Sequence, residues 1–410
     1  MAVPRFKMKV AAVHAAPVYM DKEATTAKVV SIIKDAGEQG IKLLAFPETF
    51  IPGYPVCTTP DTFSNMRMGW PQQYFILAYP PLDQIPALAQ YARQSVVCSP
   101  PDACVRAVQD ACRAAGVTVS LGVSERVAGG HTLFNSQVTI EAATGDVLGV
   151  HRKLQPTLAE RYVWAQGDGS TLRVWRVGVD DDDDNNDYDD YDDNSVDNGV
   201  ESGGVGVRVG EDGEQPQRNE RRRASGDDDS GKKSYNLGGL CCWENTLNGA
   251  RQALIEADQH VHVGAWPALS TVRGFDRGVA DAQIEALTRA HALTAQAFVL
   301  CAADHVDGAC LEWMRGNLGE QGVVGEGGGW SAVVHPFCSY LAGPHTGGED
   351  RLVAAEVDFG DLGPVKVWID GNGHYKRPEV LEMRVERKSL WTVPGSDPVS
   401  QGRPPGHVEE

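Results

Sequence analysis

Three residues with potentially catalytic side chains each follow a short apolar stretch that the sequence predicts to be a β-strand. They are Glu48, Lys153 and Cys242, and the stretches are 43–46, 147–151 and 237–241. In open α/β sheets, functional sites gather beyond the carboxyl ends of the strands. We therefore expect three distant segments to bring a carboxylate, an ammonium group and a thiol to one site.

These residue types suit nucleophilic attack by a thiol. A cysteine needs a base or a lowered pKa to become a useful nucleophile. Cys242 lies between a predicted strand and the predicted start of a helix, where a thiolate is stabilised. Glu48 can take the thiol proton and later activate water. Lys153, helped by the backbone N–H of Trp243, can stabilise the negative charge that develops on the substrate.

Each of these residues also has a purely structural interpretation. A cysteine at a strand end is commonly a small buried apolar residue, and we favour this interpretation for the neighbouring Cys241. Glu48 could cap a turn, and Lys153 could lie at the surface. A metal centre is not predicted, because Cys241 and Cys242 are adjacent rather than two residues apart and no histidine pair has helical ligand spacing.

Strands and helices alternate along the chain on both sides of one acidic segment. Apolar residues at alternate positions predict strands, and those at helical spacing predict helices. The predicted strands are 7–14, 42–46, 117–123, 133–140, 146–151, 236–241, 261–265, 298–302, 331–335 and 352–357. The predicted helices are one capped by Asp21 and others at 102–115, 248–258 and 280–297. This mixture of βα units and hairpins indicates an α/β fold with sheets covered by helices.

The acidic segment spans residues 179–233 and has low complexity. It contains 19 acidic and 7 basic residues, a balance of −12, so the rest of the chain carries about −7 of the total charge of −19. Such a composition buries too little apolar surface to offset chain entropy, and we expect disorder there. The sequence thus predicts one domain, 1–178 with 234–390, interrupted by this insertion and followed by a flexible tail at 391–410.

The composition is that of a globular protein. Apolar residues make up 42% and charged residues 23% of the chain. The chain contains no run of about 18 apolar residues, the length that a helix needs to span a bilayer. The start of the chain, Met1 to Pro17, lacks the apolar stretch of a signal peptide. Nine cysteines without framework-like spacing indicate free thiols in a reducing compartment. We therefore expect a cytoplasmic protein with neither a membrane nor a nucleic-acid partner.

Four stretches resemble, in the same order, the signature motifs of the nitrilase family. They read FPETFIPGYP at 46–55, HRKLQPT at 151–157, GGLCCWEN at 238–245 and GHYKRPEV at 373–380. The first three contain Glu48, Lys153 and Cys242. The fourth resembles the C-terminal motif of true nitrilases and their cyanide-degrading relatives. The resemblance covers residues 7–385 apart from the acidic segment.

The resemblance implies a four-layer α-β-β-α sandwich and a mechanism. Glu48 is the implied general base, Lys153 the stabilising cation and Cys242 the nucleophile, with Glu160 as a second glutamate close to them. The thiolate attacks a nitrile carbon, and the resulting thioimidate and acyl-enzyme are hydrolysed to a carboxylic acid and ammonia. No metal or organic cofactor is required. Members of the family form dimers and longer spirals, so a homo-oligomer is expected.

The substrate and the product stay open at this level. We expect Tyr54, Trp164, Trp243 and Trp266 to line the pocket for a small nitrile, although such aromatic residues are as often part of a core. A hydratase that releases the amide is the nearest competitor, whereas an amidase is disfavoured by the fourth motif. The alternative from another functional class is a catalytically silent scaffold that binds a basic partner through its acidic segment.

Overall fold

The secondary structure follows the alternation that the sequence predicts. The computed structural model describes residues 3–55, 81–179, 233–272, 277–322 and 324–391. None of the helices in these ranges has the length and apolar composition that a bilayer-spanning segment needs. The strands and α-helices are β1 (Lys7–His14), α1 (Lys22–Glu38), β2 (Ile41–Ala45), α2 (Pro81–Gln94), α3 (Ala103–Ala115), β3 (Thr118–Arg126), β4 (Leu133–Ile140), β5 (Val147–Arg152), β6 (Trp175–Gly178), β7 (Ser234–Cys241), α4 (Asn248–Glu256), β8 (Val261–Trp266), α5 (Arg277–Ala295), β9 (Phe298–Ala303), α6 (Gly308–Leu318), β10 (Trp330–Val334), β11 (Tyr340–Thr346), β12 (Arg351–Asp358) and α7 (Leu362–Trp368).

The strands form two six-stranded sheets of similar design. One sheet has the order β12-β1-β2-β3-β4-β5, and the other has the order β11-β10-β9-β8-β7-β6. In each sheet, three parallel neighbours are flanked by antiparallel strands. Parallel neighbours require crossover connections, which contain α1 and α3 in the first sheet and α4 and α5 in the second. The carboxyl ends of three parallel strands therefore lie at one edge of each sheet.

The two sheets pack face to face, and helices cover their outer sides. Along β1, Val10 and Ala12 belong to the core between the sheets, together with Val263 and Leu300 of the second sheet. The alternate side chains of β1 pack in a second core with α1 and α3. A third core joins β9 and β10 to α5. The four-layer α-β-β-α sandwich implied by the resemblance is confirmed.

Local capping signals set the ends of the first helices. The Asp21 side chain accepts a hydrogen bond from the backbone N–H of Ala24 at 2.9 Å, as the sequence predicts for α1. Asp102 caps α3 in the same way, with 3.0 Å to the N–H of Val105. The left-handed Gly116, with a φ of 63°, ends α3. Helices α2, α6 and α7 and strands β6 and β11 were not anticipated.

The acidic segment is inserted into a β-hairpin. Strands β6 and β7 are antiparallel, with Gly178 opposite Ser234, and the Val179 N–H donates to the Lys233 carbonyl at 2.9 Å. Residues 180–232 lie outside the described residues, so their disorder stays a prediction, as do the domain boundaries. The described chain continues to Trp391, whose ring packs edge-on against Phe134, and residues 392–410 of the expected tail also lie outside it.

Candidate active site

Glu48 lies in the turn that directly follows β2. Three backbone hydrogen bonds of 2.8 to 3.3 Å tie this turn to β3, so the position of the carboxylate depends on the sheet. Gly122 of β3 permits the close approach, because a Cβ atom there would lie 2.0 Å from the Pro47 carbonyl oxygen. Thr49 has a φ of 43°, in the left-handed region. The turn is therefore specified by local backbone geometry and by the neighbouring strand.

Lys153 follows β5 and continues its pairing with β4. Its backbone N–H donates to the Asn135 carbonyl at 2.8 Å. The fully buried Nζ lies 2.7 Å from Glu48 Oε1, 2.8 Å from Glu160 Oε2 and 3.0 Å from Glu160 Oε1. One buried cation thus bridges two buried carboxylates, which satisfies the requirement that buried charges be paired.

Apart from Lys153, which binds both, the two glutamates have different hydrogen-bond partners. Glu160 accepts hydrogen bonds of 2.6 Å from the Thr157 backbone N–H and from the Tyr54 hydroxyl. Glu48 Oε1 accepts one of 2.5 Å from Asn135 Nδ2, a partner that the sequence analysis missed. Among the described residues, Glu48 Oε2 has no hydrogen-bond partner. That oxygen is available to accept a proton.

Cys242 is the first residue of a short 3-10 helix, Cys242–Thr246, that follows β7. Its φ of 53° is strained for a residue with a side chain. Asn245 stabilises the backbone conformation at Cys242, because its Nδ2 donates a hydrogen bond to the Cys242 carbonyl at 2.9 Å. The Cys242 sulfur and carboxylate oxygens of Glu48 and Glu160 all lie within 4.8 Å of one another. The structure thus brings together the four residues that the sequence analysis proposed as catalytic.

A buried ion pair joins the segment of Lys153 to that of Cys242. Glu244 lies 3.0 Å from His151 Nε2 and accepts backbone hydrogen bonds from Leu154 at 2.7 Å and Cys241 at 2.9 Å. Burial opposes both charges, but the attraction between them raises the pKa of His151 and lowers the pKa of Glu244. His151 lies in the second motif and Glu244 in the third, but nothing in the sequence predicts that they pair.

Burial dominates the titration of the site. It raises the pKa of the Cys242 thiol well above its usual value, and the nearby Glu48 carboxylate adds to the effect. Burial also raises the pKa of Glu48 to about 7, against the opposing attraction of Lys153. For Lys153, burial alone would lower the pKa, but Glu160 and Glu48 outweigh it and raise the value. A neutral thiol therefore faces a carboxylate whose pKa suits a base near neutral pH.

The donor atoms of the site also have the types and spacing of a metal site. Glu48, Glu160 and Cys242 could each offer one ligand atom within the same 4.8 Å group. However, the ammonium group of Lys153 already lies within hydrogen-bond distance of both carboxylates. It supplies the positive charge that an ion would otherwise provide. The geometry therefore favours charge stabilisation by lysine.

The four aromatic residues expected at the pocket form two pairs. Tyr54 and Trp164 have ring centroids 5.7 Å apart, and Tyr54 contacts Glu160 directly. Trp243 and Trp266 meet edge-on at 5.5 Å, and Trp266 belongs to the same apolar cluster as Cys242. Three of the four are buried, and Trp243 is half-buried. Their role in substrate binding stays a prediction.

Sequence comparisons agree with this geometry. The family described as carbon-nitrogen hydrolase matches residues 9–367. A nitrilase from Pseudomonas syringae pv. syringae (strain B728a) is 29% identical over 376 residues, which cover 92% of this chain and 89% of that protein. An aliphatic nitrilase from Rhodococcus rhodochrous is 30% identical over 390 residues, which cover 94% of this chain and 84% of that protein.

Solved structures show the same fold. A Saccharomyces cerevisiae protein from branch 10 of the nitrilase superfamily gives a TM-score of 0.56 at 14% identity, covering 92% of this chain and 99% of its own. A carbon-nitrogen hydrolase from Helicobacter pylori G27 gives 0.56 at 13% identity, covering 92% and 98%. The structural similarity concerns the fold, and the sequence matches extend it to the family. On this evidence the chain belongs to the carbon-nitrogen hydrolase family, and within it to the nitrilases.

Proposed function

We propose that this chain is a nitrilase that converts a small organic nitrile and two molecules of water into a carboxylic acid and ammonia. The observation that carries the proposal is the group formed by the Cys242 sulfur and the Glu48 and Glu160 carboxylates around the Lys153 ammonium. The names of the related nitrilases support the same reaction. Tyr54, Trp164, Trp243 and Trp266 are proposed to bind the substrate. Tyr54 bonds to Glu160 and packs against Trp164, whereas Trp266 shares an apolar cluster with Cys242 and packs against Trp243.

In the first stage, Cys242 is the nucleophile and Glu48 the general base. The free Oε2 of Glu48 takes the thiol proton as the sulfur attacks the nitrile carbon. The proton then passes to the nitrile nitrogen, which leaves a neutral thioimidate. Lys153 and the backbone N–H of Trp243 stabilise the negative charge that grows on that nitrogen in the transition state.

In the second stage, the thioimidate is hydrolysed in two steps. Glu48, ionised again, activates a water molecule that adds to the thioimidate carbon, and ammonia leaves from the tetrahedral intermediate. A second water attacks the resulting thioester and releases the carboxylic acid and the Cys242 thiol. Glu160 holds Lys153 in place and balances its charge throughout, since it contacts the ammonium through both carboxylate oxygens.

Substitution of the nucleophile tests this function. Cys242→Ala is expected to abolish ammonia release across a panel of cyanide and of aliphatic, aryl and arylacetonitriles. The matched control is Cys241→Ala, which removes the neighbouring buried thiol and should retain most of the activity. Ammonia and amide are both quantified. Ammonia production by Cys242→Ala would exclude the proposed nucleophile, and amide as the main product would replace the hydrolase by a hydratase.

We further propose a homo-oligomer in a reducing compartment, the cytoplasm. Val367 and Trp368 on α7 are 82% and 71% exposed, and apolar surface of this kind commonly marks an interface. The eight cysteines in the described residues are all free, which suits a reducing environment.

The homo-oligomer is tested by light scattering of the purified protein, which should give a mass of at least twice that of one chain. The double variant V367S/W368S should reduce that mass if α7 forms the interface.

A further inference from the structure

Asp304 lies at the same end of the second sheet as Cys242, where the parallel strands β7, β8 and β9 have their carboxyl ends. The residue pairs across β7, β8 and β9 place Cys241 beside Ala265 and Ala265 beside Ala302. Asp304 directly follows β9, and its backbone N–H donates to the Trp266 carbonyl at 3.4 Å. Neighbouring strands are about 4.8 Å apart, so Asp304 stands about 10 Å from Cys242 along this edge, with Trp266 between them.

Asp304 also lies near the proposed general base, which belongs to the other sheet. Strand β9 packs against β1 and β2 of the other sheet, and Glu48 follows β2. The two carboxyl groups are close enough for the charge on Glu48 to affect Asp304. A third buried acidic side chain therefore lies near the proposed reaction site but outside the group around Lys153.

The Asp304 carboxyl group has unused hydrogen-bonding capacity. The side chain is buried, with the residue only 5% exposed, and its Oδ1 has no partner within the described part of the chain. The backbone N–H of Ala268 contributes a hydrogen bond to the group. Burial raises the pKa of Asp304 well above its usual range, so the neutral acid is favoured and can both donate and accept. Leaving such a group unsatisfied costs free energy unless a ligand or water completes it.

We propose that Asp304 is a specificity-determining residue that binds a hydroxyl group on the nitrile substrate. This inference rests on the proposed nitrilase function, because the nitrile carbon must be at Cys242 for a distal hydroxyl to reach Asp304. Binding pockets are mostly apolar and use a few polar groups to fix orientation. Trp266 supplies the apolar surface between the two ends of the substrate, and a hydroxyl matches a neutral carboxyl group because both donate and accept.

Matched pairs of nitriles test the inference. One pair is β-hydroxypropionitrile with butyronitrile, and the other is para-hydroxyphenylacetonitrile with para-methylphenylacetonitrile, so each pair exchanges a hydroxyl for a methyl group. We expect Asp304→Ala to lower the ratio of kcat/KM for the hydroxyl member over the methyl member by on the order of tenfold or more in at least one pair. Because the ratio is measured within one variant, a change in the folded fraction cancels.

Two further variants complete the experiment. Asp304→Leu keeps the length of the side chain but has no polar atoms, so it should show the same loss of preference for the hydroxyl nitrile. It serves as the test variant if Asp304→Ala is unstable. Asp258→Ala removes a partly buried carboxylate that precedes β8, at the opposite edge of the sheet, and should leave the ratio unchanged. Ratios within twofold of wild type in both Asp304 variants would overturn the inference while leaving the nitrilase function intact. Failure of the wild type to hydrolyse any of these four nitriles or any member of the wider nitrile panel would overturn both.

Discussion

At the scale of single residues, Glu48 shows how burial and pairing compete. Removing a carboxylate from water disfavours its charge, whereas Lys153 at 2.7 Å and Asn135 at 2.5 Å favour it. The balance raises the pKa of Glu48 to about 7, from an ordinary value of 4.5. The carboxylate is thus a stronger base than an exposed glutamate and is still ionised in part at neutral pH, which a base for a buried thiol requires.

The pH dependence of the reaction follows from this pKa. Because Glu48 must be ionised to take the thiol proton, kcat/KM should rise with pH through about 7 and level off above it. The same raised pKa means that the contribution of Glu48 to stability is present below 4.5 and lost as the pH rises through about 7. Glu48→Gln should lower kcat/KM by about a hundredfold or more and abolish this rising limb.

The pH profile is measured as kcat/KM for a nitrile that is neutral throughout the range. Glu38→Gln, a change at the exposed end of α1, is the control and should keep the wild-type profile. A rising limb that persists in Glu48→Gln would assign the titration to another group.

At the scale of elements, the site depends on how closely turns approach neighbouring strands. A Cβ atom on Gly122 would lie 2.0 Å from the Pro47 carbonyl oxygen and 2.9 Å from the Glu48 Cα atom. Backbone atoms on both sides cannot move apart without shifting the turn that carries Glu48. The glycine of β3 therefore positions a side chain that follows β2, although the two residues are distant in the sequence.

Gly122→Ala should accordingly impair catalysis through geometry. We expect a loss of kcat/KM on the order of a hundredfold, because a displacement of about 1 Å at a catalytic group has that effect. Overpacking should also lower the free energy of unfolding by about 1–3 kcal/mol. Both are measured on the same preparation, by ammonia release and by urea denaturation.

Gly316→Ala is the matched control for this experiment. Gly316 lies in α6, where an added Cβ atom has no neighbour within 4 Å. Alanine should stabilise the helix by about 0.5–1 kcal/mol and leave kcat/KM unchanged. Wild-type activity in Gly122→Ala would show that the Glu48 turn tolerates displacement and would contradict the positioning argument.

At the scale of the whole molecule, the acidic segment is attached at the end of β7 opposite to the one that Cys242 follows. Its described ends, Val179 and Lys233, are joined by a hydrogen bond at the end of the β6–β7 hairpin. A short turn can connect two such strands without changing their register. The segment also carries much of the chain's charge of −19, which affects association more than fold.

Replacing residues 180–232 by Asn-Gly should therefore preserve catalysis. We expect kcat/KM within about twofold of wild type and an equal or higher midpoint of thermal unfolding, since a tight turn suits the hairpin. An equal-length scrambled segment is the control for charge and length. Loss of turnover in a folded deletion variant would contradict the insertion model of the domain. If the deletion variant keeps its turnover but no longer binds a basic protein that the wild type binds, the acidic segment would be assigned a role in binding.

The sequence by itself determined the local features of this protein. Strands β1 and β4 have the predicted ends, and Asp21 and Asp102 cap the predicted helices, because periodicity and capping are encoded over a few residues. Glu48, Lys153 and Cys242 were identified from strand ends and motifs. Elements with weak local signals were missed, such as α2, which contains Pro86, and the exposed edge strand β11, which contains Gly343 and Pro344.

Only the tertiary structure decided which side chains meet. The hydrogen bond from Asn135 to Glu48, the pairing of His151 with Glu244 and the proximity of Asp304 to Glu48 each join residues from different strands, and the last two join the two sheets. No spacing within one segment encodes these contacts, because they depend on sheet register and on the packing of one sheet against the other. The raised pKa of Glu48 has the same origin, since burial is a property of the assembled fold.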